Sequence, residues 1–301
     1  MSQIFAGIEG GGTKFVVAVG RSDGEILAEG RIPTTTPQET LSRCVDFFKA
    51  QQREFGKIAA IGVASFGPLD IRPDSANYGR VLPTPKPGWT DADLLGPLRE
   101  AFGVPVVVDT DVNGAALGEW KWGAARGLDS FVYLTIGTGV GGGALVQGSL
   151  LHGLVHPEMG HITVPTAEDD LCICPFHDDC LEGLAAGPAI EARWGEKAEK
   201  LPVGHPAWEV EAGHIASALR SFICTLSPER IVLGGGVMEQ SHLFPLIREK
   251  TLAALNGYVQ ASEILEQIDA YIVPVALGGK AGILGAFVMA EQALNMEQSK
   301  S

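Results

Sequence analysis

Three groups of residues carry chemistry. The densest is "HPEMGHITVPTAEDDLCICPFHDDCLEG", His156 to Gly183, which holds three of the five cysteines and three of the seven histidines. Within it Cys174, His177 and Cys180 form C-x2-H-x2-C. That spacing suits zinc, which takes four N or S ligands in structural sites and keeps one position open in catalytic ones. A fourth ligand can come from His161, Cys172, His156 or His152. Cys172 and Cys174 alternate, so on a strand they point to opposite faces, and binding one ion with both requires a turn. The second group is Asp109-Thr110-Asp111 in "VVVDTDVNGAALGE". An apolar strand ends there and a helix begins, and carboxylates at the carboxyl end of a strand in an α/β sheet face the ligand crevice. Asp111 can accept a proton from a hydroxyl nucleophile or cap the helix; Asp109 reads as structural.

The third group is three glycine turns: "GGGTK" (Gly10 to Lys14), "GTGVGGG" (Gly137 to Gly143) and "GGG" (Gly234 to Gly236). Glycine turns at strand ends let backbone N–H groups approach phosphate. The first adds Thr13 and Lys14, the second Thr138. The third has no polar side chain, which suits packing on a base or ribose. None matches the P-loop, and the first leads into a strand where the dinucleotide fingerprint needs a helix. Each is equally a tight hairpin that needs glycine.

The elements that position these groups alternate. "IFAGIE", "KFVVAVG" and "GEILAEGRI" read as strands. Pro37 to Phe55 reads as a helix with Leu41, Val45, Phe48 and Phe55 on one stripe. "KIAAIGVAS" is a buried strand. The Gly/Pro-rich stretch from Phe66 to Trp89 reads as an ordered functional loop. A helix near Asp93 to Phe102 leads into "VPVVVDT", and another runs from about Val112 to Trp122. "FVYLTIGTGVGGGALVQG" then echoes the opening "IFAGIEGGGTKFVVAVG". "RIVLGGGV" is a strand, Leu243 to Leu255 a helix, "IDAYIVPVAL" a late strand and Ala281 to Leu294 a closing helix. The polar "NMEQSKS" reads as a frayed tail. Strands alternating with helices mean an α/β fold.

The chain has 301 residues, 46% of them hydrophobic, and a formal charge of −14. Such acidity repels nucleic acid and anionic membrane, so neither is an expected partner. The N-terminus has no signal-peptide pattern and no window is apolar enough for a transmembrane helix. An odd number of cysteines, three of them clustered, fits a reducing cytoplasm. Cys44 and Cys224 read as core residues, and His205, His214 and His242 as surface or packing residues.

"GIEGGGTKF", "DTDVNGAALGE", "IGTGVGGG", "HPEMGH", the Cys/His cluster ending "CLEG", and "GGGV" occur in that order over nearly the whole chain. In this the sequence resembles the ROK sugar kinases, most closely their bacterial fructokinase branch. The resemblance implies a two-domain actin/hexokinase-like (ribonuclease H-like) α/β fold closing over ATP and sugar. It implies a small domain of residues 1–111 with the C-terminal helix (about 284–301), and a large domain of 112–283 with the zinc-binding segment. Mg²⁺ with ATP, a cytoplasmic location and a homodimer come with it. Family repressors carry an N-terminal helix-turn-helix; a strand pattern starting by Gln3 argues against that reading. Intact Asp111 and phosphate turns argue against a catalytically dead relative, whereas mannose or another hexose stays open beside fructose.

Residue by residue, the resemblance makes Asp111 the catalytic base. Gly10, Gly11, Gly12, Thr13, Lys14, Thr138 and Gly139 would hold the ATP phosphates. Gly235 and Gly236 would border the adenosine, with Gly187 and Pro188 near the nucleotide. Glu9 stands where the family's usual Asp orients metal-bound water. Thr110, Asp111, Glu158, His161 and Glu182 would contact the sugar, together with Pro68 of the Gly/Pro-rich loop. Thr110 replaces the family's usual Asn, which argues against glucose and N-acetylmannosamine. "TPKPGW" (Thr84 to Trp89) should lie at the sugar side. The zinc ligands become His161, Cys174, His177 and Cys180, with Cys172 as a spare. Four protein ligands leave no position for water, so the zinc is a structural brace on His161 and, through "DDCLEG", on Glu182.

Overall fold

The alternation of strands and helices is realised as two separate sheets. The computed structural model describes residues 3–168 and 170–299. In chain order the elements are β1 (Ile4–Gly10), β2 (Lys14–Arg21), β3 (Ile26–Pro33), α1 (Pro37–Phe55), β4 (Ile58–Ser65), α2 (Gly96–Phe102), β5 (Val106–Thr110) and α3 (Asp111–Trp122). They continue as β6 (Phe131–Ile136), β7 (Val140–Val146), β8 (Ser149–Leu150), α4 (Leu181–Ala185), α5 (Gly187–Trp194), α6 (Ala207–Leu226), β9 (Arg230–Gly234) and α7 (Leu243–Leu255). The last are α8 (Ser262–Leu265), α9 (Ile268–Tyr271), β10 (Ile272–Pro274) and α10 (Ala281–Gln298).

These elements form two compact units. The first gathers the chain up to Arg126, the segment His152–His156 and the chain from Leu277 onward; the second holds Gly127–Leu151 and Pro157–Ala276. The first sheet has the order β3-β2-β1-β4-β5, and the second, read from its short edge, β8-β7-β6-β9-β10. In each, the first three strands of the order are antiparallel and the following pairings parallel. The echo between the two glycine hairpins is therefore one hairpin used twice, at the centre of two like sheets.

In the first unit one face of the sheet buries Ile8, Phe15, Val17 and Val63 with Leu41, Cys44 and Phe48 of α1. The other face sets Phe5, Ala18 and Ala60 against Ile283, Phe287 and Ala290 of α10. Helices α3 and α10 cross almost backbone to backbone. A Cβ on Gly285 would lie 1.6 Å from the carbonyl of Gly114, so only glycine fits. That contact fixes α3, and with it the residue that opens it, Asp111. The second unit packs Val132, Leu134, Ile231 and Leu233 of its sheet with Trp208, Ile215 and Leu219 of α6 and Ile247 of α7.

Several expectations shift. Helix α2 starts at Gly96, not near Asp93, because the Asp93 carboxylate accepts the N–H groups of Leu95 (3.0 Å) and Gly96 (2.8 Å) and so shapes the turn before it. The late strand is only Ile272–Pro274, since Ile268–Tyr271 is a helical turn. The polar tail is not frayed as far as Gln298: α10 continues through it, and Lys300 and Ser301 lie outside the described residues. Cys224 is exposed, not core; it falls on the outer face of α6. The sequence boundary after Asp111 separates α3 from the first strands, whereas α3 packs within the first unit. Among the described residues no helix is long and apolar enough to cross a membrane.

Candidate functional site

Strand β5 carries Val106 and Val108 into the core and delivers Asp109 and Thr110, both buried, to its carboxyl end. Thr110 is the cap of α3: its hydroxyl oxygen accepts the N–H of Asn113 at 3.2 Å. Asp111 therefore occupies the first helical turn, half-buried, with one carboxylate oxygen accepting the N–H of Val112 at 2.9 Å. Asp109 is a structural hub. One of its oxygens accepts from the Thr110 N–H and from Asn113 Nδ2, both at 2.7 Å. The other lies 2.7 Å from His152 Nε2. The hydrogen bond to Asp109 raises the His152 pKa above its ordinary value against the opposing cost of burial. Sequence reasoning had His152 only as a possible metal ligand; its place on Asp109 depends on a fold-back that no local pattern announces.

The β1–β2 turn is held from the end of β3. The Thr34 hydroxyl donates to the Gly11 carbonyl at 2.7 Å, the Thr34 N–H to Thr13 O at 3.0 Å, and Gly11 N–H to Lys14 O at 2.9 Å. Gly12, Thr13 and Lys14 are exposed. Below the turn, Trp89 of the "TPKPGW" loop is fully buried, its ring tilted against Phe15 and edge-on to Phe66, and it donates from Nε1 to Thr35 O at 2.9 Å. Pro68 is exposed and follows a cis peptide. A cavity of about 530 Å³ is lined by Glu9, Lys14, Glu29, Arg31 and Lys280, among others. Glu9 is pushed up to about 7, chiefly by burial and next by the negative charge of Asp111, with Lys14 opposing. A cation at this position would hold the carboxylate ionised.

In the second unit the β6–β7 turn is Gly137-Thr138-Gly139. Gly137 donates to Gly139 O at 2.9 Å, and the N–H of Gly187, which opens α5, donates to Gly137 O at 2.7 Å. Gly235, with φ +92°, turns the chain after β9; a Cβ there would lie 2.3 Å from Ile136 O. Gly137, Thr138, Gly187, Pro188 and Gly236 line one cavity of about 510 Å³ with Lys197. Three sequence-distant glycine segments are thus brought to one place, beside one lysine and the carboxylates of Glu191, Glu199 and Glu239.

The same unit assembles His161, Cys174, His177 and Cys180, whose ligand atoms lie within 4.8 Å of one another. A short antiparallel pairing makes this possible: Leu181 N–H donates to Ile162 O at 3.0 Å and Val164 N–H to Asp179 O at 3.0 Å. Cys180 caps α4, its sulfur accepting the Gly183 N–H at 3.3 Å. Burial, with Cys174 and Cys172 adding to it, pushes the Cys180 thiol up to about 12. Two imidazoles and two thiols in this reach fit zinc, which would stabilise the thiolates. Cys172 lies outside the quartet, donating to His177 O at 3.1 Å. His152 and His156 belong to the first unit. Glu158 is exposed, before the short turn Met159–His161. The Glu182 carboxylate accepts the Val140 N–H at 2.9 Å and stands 3.8 Å from His161 Nε2.

Two α/β sheets of one strand order, each opening on a glycine hairpin, define the actin/hexokinase-like class. A solved ROK hexokinase from Thermus thermophilus has this fold, at a TM-score of 0.81 and 28% identity over 99% of this chain and 100% of that one. The ROK family model matches residues 5–293. A putative fructokinase of Bacillus subtilis is 48% identical over 98% of this chain and 97% of its own length. A fructokinase of Pediococcus pentosaceus is 43% identical over 97% of this chain and 99% of its own. The chain belongs to the ROK family.

Proposed function

We propose that the chain is an ATP-dependent fructokinase that transfers the γ-phosphoryl group to the C6 hydroxyl of D-fructose. The full-length likeness to relatives named fructokinase carries this reading. A sugar hydroxyl is a poor nucleophile. Asp111 accepts its proton as the sugar oxygen–phosphorus bond forms and the bond to ADP breaks; ADP departs, and the proton stays on the Asp111 carboxyl until it is released to solvent. The backbone N–H groups of the two glycine turns and Lys14 offset phosphate charge. Mg²⁺ bound with ATP would supply further positive charge, and Glu9 is the residue that would orient its water. Gly187, Pro188, Gly235 and Gly236 border the nucleotide.

Thr110, Pro68, Glu158, His161 and Glu182 face the sugar in this reading. Because the Thr110 oxygen already accepts from Asn113, it keeps one O–H to donate and one lone pair to accept toward a sugar. A site built for one hydroxyl pattern leaves polar groups unpaired with another. The quartet His161, Cys174, His177 and Cys180 would hold zinc as a brace; all four positions are protein ligands, so it activates no water. The enzyme acts in the cytoplasm as a homodimer. A coupled kinase assay over fructose, mannose, glucose and N-acetylmannosamine tests the substrate. Fructose should give the highest kcat/KM, and better turnover of any other member would reassign it.

A further inference from the structure

The Cys/His quartet and the phosphate turn of the second unit meet in one side chain. His161 has two ring nitrogens with different neighbours. Nδ1 lies 3.9 Å from Cys174 Sγ, toward the quartet. Nε2 lies 3.8 Å from Glu182 Oε1. A histidine that binds metal through one nitrogen keeps its proton on the other and typically turns it to a carboxylate or carbonyl. The second Glu182 oxygen is already committed: it accepts the N–H of Val140, the first residue after the turn, at 2.9 Å. A Cβ on Gly139 would lie 2.7 Å from that oxygen, so glycine there is what lets the carboxylate reach the backbone.

The backbone follows the same route. Helix α4 is five residues long. Its cap is the quartet member Cys180. At its other end Ala186 N–H donates to Glu182 O at 3.1 Å, and Gly187 N–H donates to Gly137 O at 2.7 Å. The helix thus ends on the metal quartet on one side and on the phosphate turn on the other. We propose that Glu182 is a positioning residue that transmits the order of the metal quartet to the nucleotide turn Gly137–Gly139, beyond any contact it makes with sugar. The inference rests on the kinase reading for the identity of the ligand at that turn.

The test is calorimetric titration of ADP without sugar, with zinc content measured on the same samples. Glu182→Ala should keep its zinc and bind ADP roughly tenfold more weakly, the loss expected for one hydrogen bond to a charged group. Glu182→Gln, which can still accept from Val140, should lose only a few-fold. Stripping zinc should weaken ADP binding in the wild-type chain and add nothing in Glu182→Ala, because the two act through one link. Unchanged ADP affinity in Glu182→Ala, with only the sugar KM raised, would overturn the inference and leave the kinase reading intact. If stripping unfolds the chain by circular dichroism, the zinc-retaining Glu182 variants decide alone. Should Glu182→Ala not fold, Glu182→Gln decides: ADP bound as tightly as by wild type overturns the inference. No ADP binding by the wild-type chain would remove the kinase reading and this inference with it.

Discussion

The two sheets have the same strand order, yet their strand ends do different work. In the first unit β5 ends in Asp109 and Thr110 and passes directly into α3, with Asp111 in its opening turn. The corresponding strand of the second unit, β10, is three residues long and ends at Pro274. What the second unit has instead is an insertion after β8 that builds the Cys/His quartet and α4 beside its glycine turn. The hairpin turns differ in the same sense. The first is tied by the hydroxyl of Thr34, which follows β3, the second by a carboxylate from the quartet's own helix. In the proposed reading the duplicated topology is divided: both copies offer a glycine turn to phosphate, while only the first adds Asp111 as proton acceptor and only the second adds the Cys/His quartet beside its turn.

If zinc fills the quartet, removing it should have the largest effect. Structural zinc contributes about 10–16 kcal/mol of apparent binding energy in small peptides at neutral pH. Chelation, followed by metal analysis and a fructose kinase assay, should therefore abolish sugar phosphorylation; full activity in zinc-free protein would break the division. Next is Asp111→Asn, which should lower kcat about 10²–10⁴-fold with an unchanged circular dichroism spectrum. Smaller again is Gly285→Ala, which forces α10 from α3 where a Cβ would sit 1.6 Å from Gly114 O. Overpacking of this kind costs about 1–3 kcal/mol or more, read by chemical denaturation, and it should act through the position of Asp111 as well as through stability.

The smallest effect is expected at His152. Its side chain is 41% exposed, so its pair with Asp109 is worth less than about 1 kcal/mol after solvent screening. The sign follows from the raised folded-state pKa. The stabilisation is fully present below the unfolded histidine value of about 6.5 and is lost as pH rises through the folded value. The stability difference between wild type and His152→Ala should therefore shrink with rising pH in denaturation curves; growth instead would show that the pair is not ionic.

The glycine turns, the two hydrophobic hairpins and the aspartates were legible because each rests on local pattern: apolar runs, turn residues and a strand-to-helix junction. Thr110 as the cap was not, since both Thr110 and Asp111 suit that position and only the backbone angles choose. Helix α6 went unread because Glu211 and His214 sit on its buried face and interrupt the apolar stripe. His214 is accommodated by Asp170 at 3.1 Å, a partner 44 residues away. Glu182 and His152 share that limitation. Their decisive contacts, with Val140 and Asp109, are made by segments that meet only when the chain folds back.

The separation of the proton acceptor from the nucleotide turns is tested most directly by titrating ADP into Asp111→Asn. If Asp111 is the proton acceptor and the glycine turns hold the nucleotide without it, ADP should bind within about twofold of wild type, far less than the one or two decades in affinity that a lost charged contact brings, while turnover of fructose collapses. Loss of ADP affinity in parallel with turnover would contradict the account.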